Sequence, residues 1–276
     1  MLKYLRLITS YIFKRKTAFI LFVTAVIPSL IVGIFMTPFS EVDLLINPQS
    51  YVGASFWGIY WKVSGYGYGG WLFSFLSLIL LVMMLTLLVA TVDRHMRIGD
   101  LRLRNPLTRI NENIWVVLPV FVAFILFKEV FDIALSLVCY LCLPLNESVY
   151  APVLGIFFVI FYFIFSVIIA FFVNWVPHSF NTGLTAPKSL ASSLKLASGR
   201  LFNLALTIFL GIISTVVVMT LGIMAGGITK VLLSAVSYFA LSIYFVVMMY
   251  VVYYDTTGLE REDINVVDIW DKKHGI

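Results

Sequence analysis

Apolar runs close to 20 residues long recur through this chain: about 17–36, 71–92, from 114 onward, 152–173, 201–225 and 229–253. Each is long enough to cross a hydrocarbon layer of about 30 Å as a helix. Inside such a layer water cannot satisfy backbone N–H and C=O groups, so only helices and closed barrels cross it. Barrel strands would show short alternating segments, and the sequence has none. With 61% apolar and only 12% charged residues, the chain is far from the roughly half and quarter of a soluble domain. The expected fold is all-α: a polytopic transmembrane bundle of about six spans forming one integral membrane domain over 1–276.

Pro187 to Asp255 shows the organising unit. Leu190, Leu194, Ala197 and Leu201 recur at helical spacing, with Ser192, Lys195 and Gly199 opposite and Pro187 suited to the first helical turn. This reads as an amphipathic elbow in the membrane surface, or as an ordinary helix packed on the span ends. An apolar hairpin follows, turning at Gly226-Gly227, with Gly222 and Gly226 spaced for close helix approach. Two looser copies precede it, so the units are roughly 1–93, 94–178 and 179–255, with a polar tail over 256–276. In the first unit Lys3, Arg6, Ser10 and Lys14 share one helical face and Tyr4, Ile8, Tyr11 and Ile12 another. The next apolar run reads as an uncleaved first span rather than a signal peptide, since no small-x-small site follows it. In the second unit Asn105-Pro106 reads as a helix start, capped by Asn105, and the next few residues as a short elbow. The even spans end on Asp93, Asn174 and Asp255.

All but Lys62, Lys128 and Lys230 of the 19 Lys and Arg fall on one side if both termini are cytosolic. That asymmetry predicts a bacterial cell membrane protein with N- and C-termini inside. Arg94, Arg97, Arg102, Arg104, Lys188 and Lys195 are candidate contacts to anionic lipid of the inner leaflet. The bilayer is the expected partner, another membrane protein a second; nothing in the basic loop points to nucleic acid.

The candidate functional residues lie in the third span. Lys128, Glu129 and Asp132 interrupt its apolar run, and Lys128 and Asp132 are i, i+4 neighbours able to pair. Charges in a span mark functional sites by default, although tilt and snorkelling could carry these to the outer interface. Trp57, Trp61, Tyr66, Tyr68 and Trp71 read as an interfacial aromatic belt or as a binding ledge. Cys139 and Cys142 form one CxxC without a second pair, which favours packing over metal or redox chemistry. The spans after Pro152 hold no midplane proline and no charge. No HExxH, P-loop or GxSxG is present, so neither catalytic, cofactor nor metal residues are assigned.

The run PKSLASSLKLASGRLF, followed by a hairpin ending VVYYDTTG, resembles the membrane domain attached to some bacterial glycerophosphodiester phosphodiesterases, and related standalone six-helix membrane proteins. The likeness is best over 187–258 and fainter over 93–127. It implies the fold and no activity: the catalytic barrel of that family is a separate domain for which this chain has no room. His95, His178 and His274 do not form that enzyme's metal pattern. The expected role is thus a non-enzymatic accessory or scaffold protein acting through lipid or partner contacts. The alternative is a small permease or lipid-handling transporter using the cluster in the third span.

Overall fold

The computed structural model describes residues 2–13, 21, 24, 40–65, 71–100, 105–143 and 147–263 of the 276. Among them the chain is helical, without strands. A basic amphipathic helix, α1 (Leu2–Ile12), is followed by a segment of short turns containing α2 (Asp43–Ile46) and α3 (Phe56–Val63). The long helices are α4 (Trp71–Ile98), α5 (Pro106–Cys142), α6 (Glu147–Phe172), α9 (Leu201–Ala225) and α10 (Gly227–Thr257). The shorter α7 (Trp175–Thr182) and α8 (Ala186–Ser198) lie between α6 and α9. Five helices are long and apolar enough to cross a membrane. The chain is therefore a multi-pass membrane protein. The span expected over 17–36 lies outside the described residues, apart from Leu21 and Thr24, which are helical and buried.

Successive spans alternate in direction, and the bundle has two distinct ends. One, the loop end, carries residues 40–64 and Lys128. The other, the basic end, carries α1, α7, α8, Asp93, Arg97, Arg200 and Asp255. At the centre α9 packs along α6 and along α10. Gly222 lets Leu233 of α10 come close: a Cβ there would lie 3.1 Å from it. Gly226, expected both to turn the chain and to share that role, is the turn residue, with φ +67°. Among the described spans α5 is the most peripheral, with little of its surface covered by protein.

The structure departs from the expected elbows in three ways. Residues 106–113 do not form a separate element. They open the 37-residue α5, because after Pro106 the sequence contains no breaker before Pro119. Asn105 is left-handed, φ 48°, and makes no side-chain cap. The elbow expected over 187–199 is the helix α8, but its fully buried face is Ser189, Ser193 and Ala197, with Leu190 and Leu194 only half-buried. Small side chains let it seat closely on the ends of α5, α6, α7 and α10. Ser192, assigned to the idle polar face, instead bonds His178 of α7 through its Oγ at 2.7 Å from Nε2. Lys188, Lys195 and Gly199 are exposed as expected.

Candidate polar site at the loop end

Of the charges of the third span, Asp132 is buried within the protein, and Lys128 and Glu129 are partly buried. Asp132 is 1% exposed and pairs with Lys128, whose Nζ also donates to the Ser64 carbonyl at 3.3 Å. Glu129 accepts from the Tyr60 hydroxyl at 2.5 Å. A fourth charged residue joins them from the loop segment. Glu41, 5% exposed, accepts from the hydroxyl of Tyr162 in α6 at 2.6 Å and lies within electrostatic reach of Lys128 and Asp132. Tyr238 of α10 lies within electrostatic reach of Lys128, Glu41 and Asp132.

Apolar neighbours explain why Glu41 is brought inside. Val42 and Leu44, which follow it, are fully buried, and the segment they anchor packs on α6 and α9. Ile59 and Val63, also buried, seat α3 along α5. Each such side chain is worth about 1.5–3 kcal/mol on burial, enough together to carry a carboxyl into a site where tyrosine and lysine await it. The outcome is three carboxyls, Glu41, Glu129 and Asp132, around one ammonium. With all four ionised the cluster would carry excess negative charge in a medium where an unpaired ion costs several kcal/mol. Such a site relieves itself by holding a proton or another small cation. Burial accordingly raises Glu41 above the usual carboxylate range, against the opposing pull of Lys128 and the Tyr162 hydroxyl. Tyr60 is pushed up to about 12, by burial first and by Glu129 second.

Around the cluster, Trp57 and Trp61 remain exposed and pack edge-on or tilted against Tyr60, an aromatic rim above the site. Tyr66 and Tyr68 lie outside the described residues. Cys139 and Cys142 are free and buried on α5.

The basic end is a junction of a different kind. Asp255, which closes α10, pairs with Lys3 at 2.5 Å and with Arg200, and accepts from the Tyr4 hydroxyl at 2.9 Å. One carboxylate thus ties α1, the α8–α9 corner and the end of α10 together. Asp93 pairs with Arg97 at 3.1 Å, and Arg94 with Asp100 at 2.7 Å. Arg102 and Arg104, named as lipid contacts, lie outside the described residues.

No family model matches this chain, and no curated protein and no solved structure matches it.

Proposed function

We propose that this chain is a small permease of the bacterial cell membrane whose outward-facing polar site takes up a small cation, the proton included. The observation that carries this reading is the burial of Glu41 and Asp132 around Lys128, within a bundle of helices long and apolar enough to cross a bilayer. Ionisable groups held inside a membrane bundle and facing one another, not lipid, are the usual markers of an ion or proton path. The cation asymmetry of the sequence supports placing the basic end in the cytosol, with both termini inside and the cluster toward the exterior. Exposed Arg97, Lys188 and Lys195 then face anionic lipid of the inner leaflet.

The test is flux through the purified protein alone in liposomes, under an imposed membrane potential. Proton entry is read by an internal pH dye, and sodium and potassium by ion-selective dyes. The wild type should exceed empty liposomes, and Asp132→Asn and Glu41→Gln should slow the flux at least tenfold. Lys128→Met tests the same balance from the other side and should alter cation preference. No flux of any of the three ions above the empty-liposome rate refutes the reading.

A second reading, an accessory or scaffold protein acting through lipid or partner contacts, is favoured by the Asp255 junction. It gathers α1 and the α8–α9 corner into one platform at the basic end, beside the exposed cations of α8. The resemblance of residues 187–258 to membrane domains that accompany a separate enzyme supports it too. Saturable flux by the protein alone would refute this second reading.

A further inference from the structure

The exposed face of α3 is aromatic. Ile59 and Val63 take its buried face against α5, so Trp57 and Trp61, one turn apart, come to the opposite side with Tyr60 at the flank. Trp57 is 62% and Trp61 54% exposed. Each packs on Tyr60 with ring centroids 5.9 Å apart, the planes turned by 86° and 59°. Rings this close, and turned against one another, let a compact group touch more than one of them. Tyr60 also donates its hydroxyl to Glu129 at 2.5 Å. The aromatic rim thus stands on a carboxylate of the loop-end cluster, where carboxyls outnumber the one lysine.

The same chemistry occurs a second time in the loop segment, with its cation in place. Tyr51 donates its hydroxyl to Asp43 at 3.0 Å, and the Lys62 ammonium lies 4.3 Å from the centroid of the Tyr51 ring. A phenol bonded to a carboxylate has a more electron-rich face, which draws a cation onto the ring. Lys62 belongs to α3 itself, yet it turns to Tyr51 and to the Ser50 carbonyl at 3.0 Å.

A cation within about 6 Å of an aromatic centroid is attracted by the ring quadrupole, most strongly by tryptophan. Sodium and potassium would have to surrender tightly held water to rings that offer them no oxygen ligand. An alkylated ammonium spreads its charge over an apolar surface and gives up little, which is why aromatic sites take quaternary ammonium groups. We propose that Trp57, Tyr60 and Trp61 form a binding site for an alkylated ammonium group, with Glu129 supplying the counter-charge. A free amine and the headgroup of a lipid both present this chemistry. The proposal goes beyond the permease reading: it concerns binding at the rim and holds whether or not an ion crosses.

Binding of radiolabelled tetramethylammonium to the full chain in nanodiscs, read by scintillation proximity against empty discs, tests it. The discs are made of phosphatidylglycerol alone, so that no lipid ammonium competes. The wild type should bind saturably, and sodium chloride or uncharged tert-butanol should displace the label far less than unlabelled tetramethylammonium does. Trp57→Leu and Trp61→Leu keep an apolar side chain and should each weaken binding about fivefold. Glu129→Gln should weaken it at least as much. Trp115→Leu, at the 73% exposed tryptophan of α5, should leave binding unchanged. Replacing half of the lipid by phosphatidylethanolamine separates the two sources: loss of the label assigns the site to a lipid headgroup, and unchanged binding assigns it to a free amine. The proposal is overturned by absence of saturable binding, by sodium displacing the label as well as tetramethylammonium does, or by wild-type binding in the two tryptophan variants. Wild-type binding in Glu129→Gln overturns the counter-charge. Binding without flux refutes the permease alone, and flux without binding refutes this site alone.

Discussion

Gly211→Ala tests the packing of α9 on α10 where it is tightest. A Cβ built at Gly211 would lie 2.7 Å from Cε1 of Tyr244, and 3.1 and 3.3 Å from Cδ1 and Cζ. The ring cannot simply swing aside, since its hydroxyl donates to the Thr207 carbonyl at 2.9 Å. Overpacking of this kind costs about 1–3 kcal/mol, and losing the tyrosine bond adds about 1 kcal/mol. Alanine returns up to about 1 kcal/mol through its better helix propensity. The net expectation is a loss of about 1–3 kcal/mol. Gly155 in α6 is the internal control: a Cβ there meets nothing within 4 Å. Gly155→Ala should therefore be neutral or stabilising by up to about 1 kcal/mol. The assay is unfolding of the purified protein in mixed micelles by increasing SDS, followed by tryptophan fluorescence. Adding Tyr244→Leu should abolish the penalty of Gly211→Ala. Equal effects of the two glycine substitutions, or a penalty that survives removal of the tyrosine ring, would refute the reasoning.

Two further outcomes are expected. The raised Glu41 carboxyl means that the folded protein favours its protonated form, so its contribution to stability is complete below the ordinary value of 4.5 and is lost as pH rises through the raised one. Facing Lys128, Asp132, Tyr162 and Tyr238, Glu41 should make the melting temperature fall above pH 4.5, and Glu41→Gln should flatten that fall; a profile identical in the two proteins would contradict it. Asp255→Asn should release α1 at a cost of about 1–2 kcal/mol, since its partners Lys3 and Arg200 are 63% and 44% exposed and such pairs are weak. Hydrogen exchange over residues 2–12 should speed up, and unchanged exchange there would remove Asp255 as the anchor of the helix.

The long helices were legible because hydrophobic length is a local property. Residues 201–225 are α9 to the residue, and the run from Trp71 differs only in continuing past Asp93 to Ile98. Lys128, Glu129 and Asp132 stood out for the same reason, as charges in an apolar run. Glu41 did not, because a carboxylate in a loop is ordinary until the burial of Val42 and Leu44 just after it draws it inward. Tyr162 was hidden in a Phe- and Ile-rich stretch where its hydroxyl carries no pattern. On α8 the leucine period marks Leu190, Leu194 and Ala197, of which Ala197 is fully buried, whereas close seating against other helices also buries the small residues Ser189 and Ser193, which carry no such period. Asn174 was read as a span boundary. Its complete burial is a property of the packed bundle, which no local signal announces.

The unbroken α5 is about 55 Å long at 1.5 Å per residue, well beyond the roughly 30 Å of hydrocarbon it crosses. It carries Lys128 and Asp132 toward one end and Arg109 at the other. A rod of this kind turns a small tilt at one surface into a larger sweep at the far surface. Its weak point is Pro119, which leaves the Trp115 carbonyl without its usual helical donor. Strain created when the carboxyl cluster gains or loses charge would therefore be relieved by flexing at Pro119, and its mechanical signature would be motion of the Arg109 end.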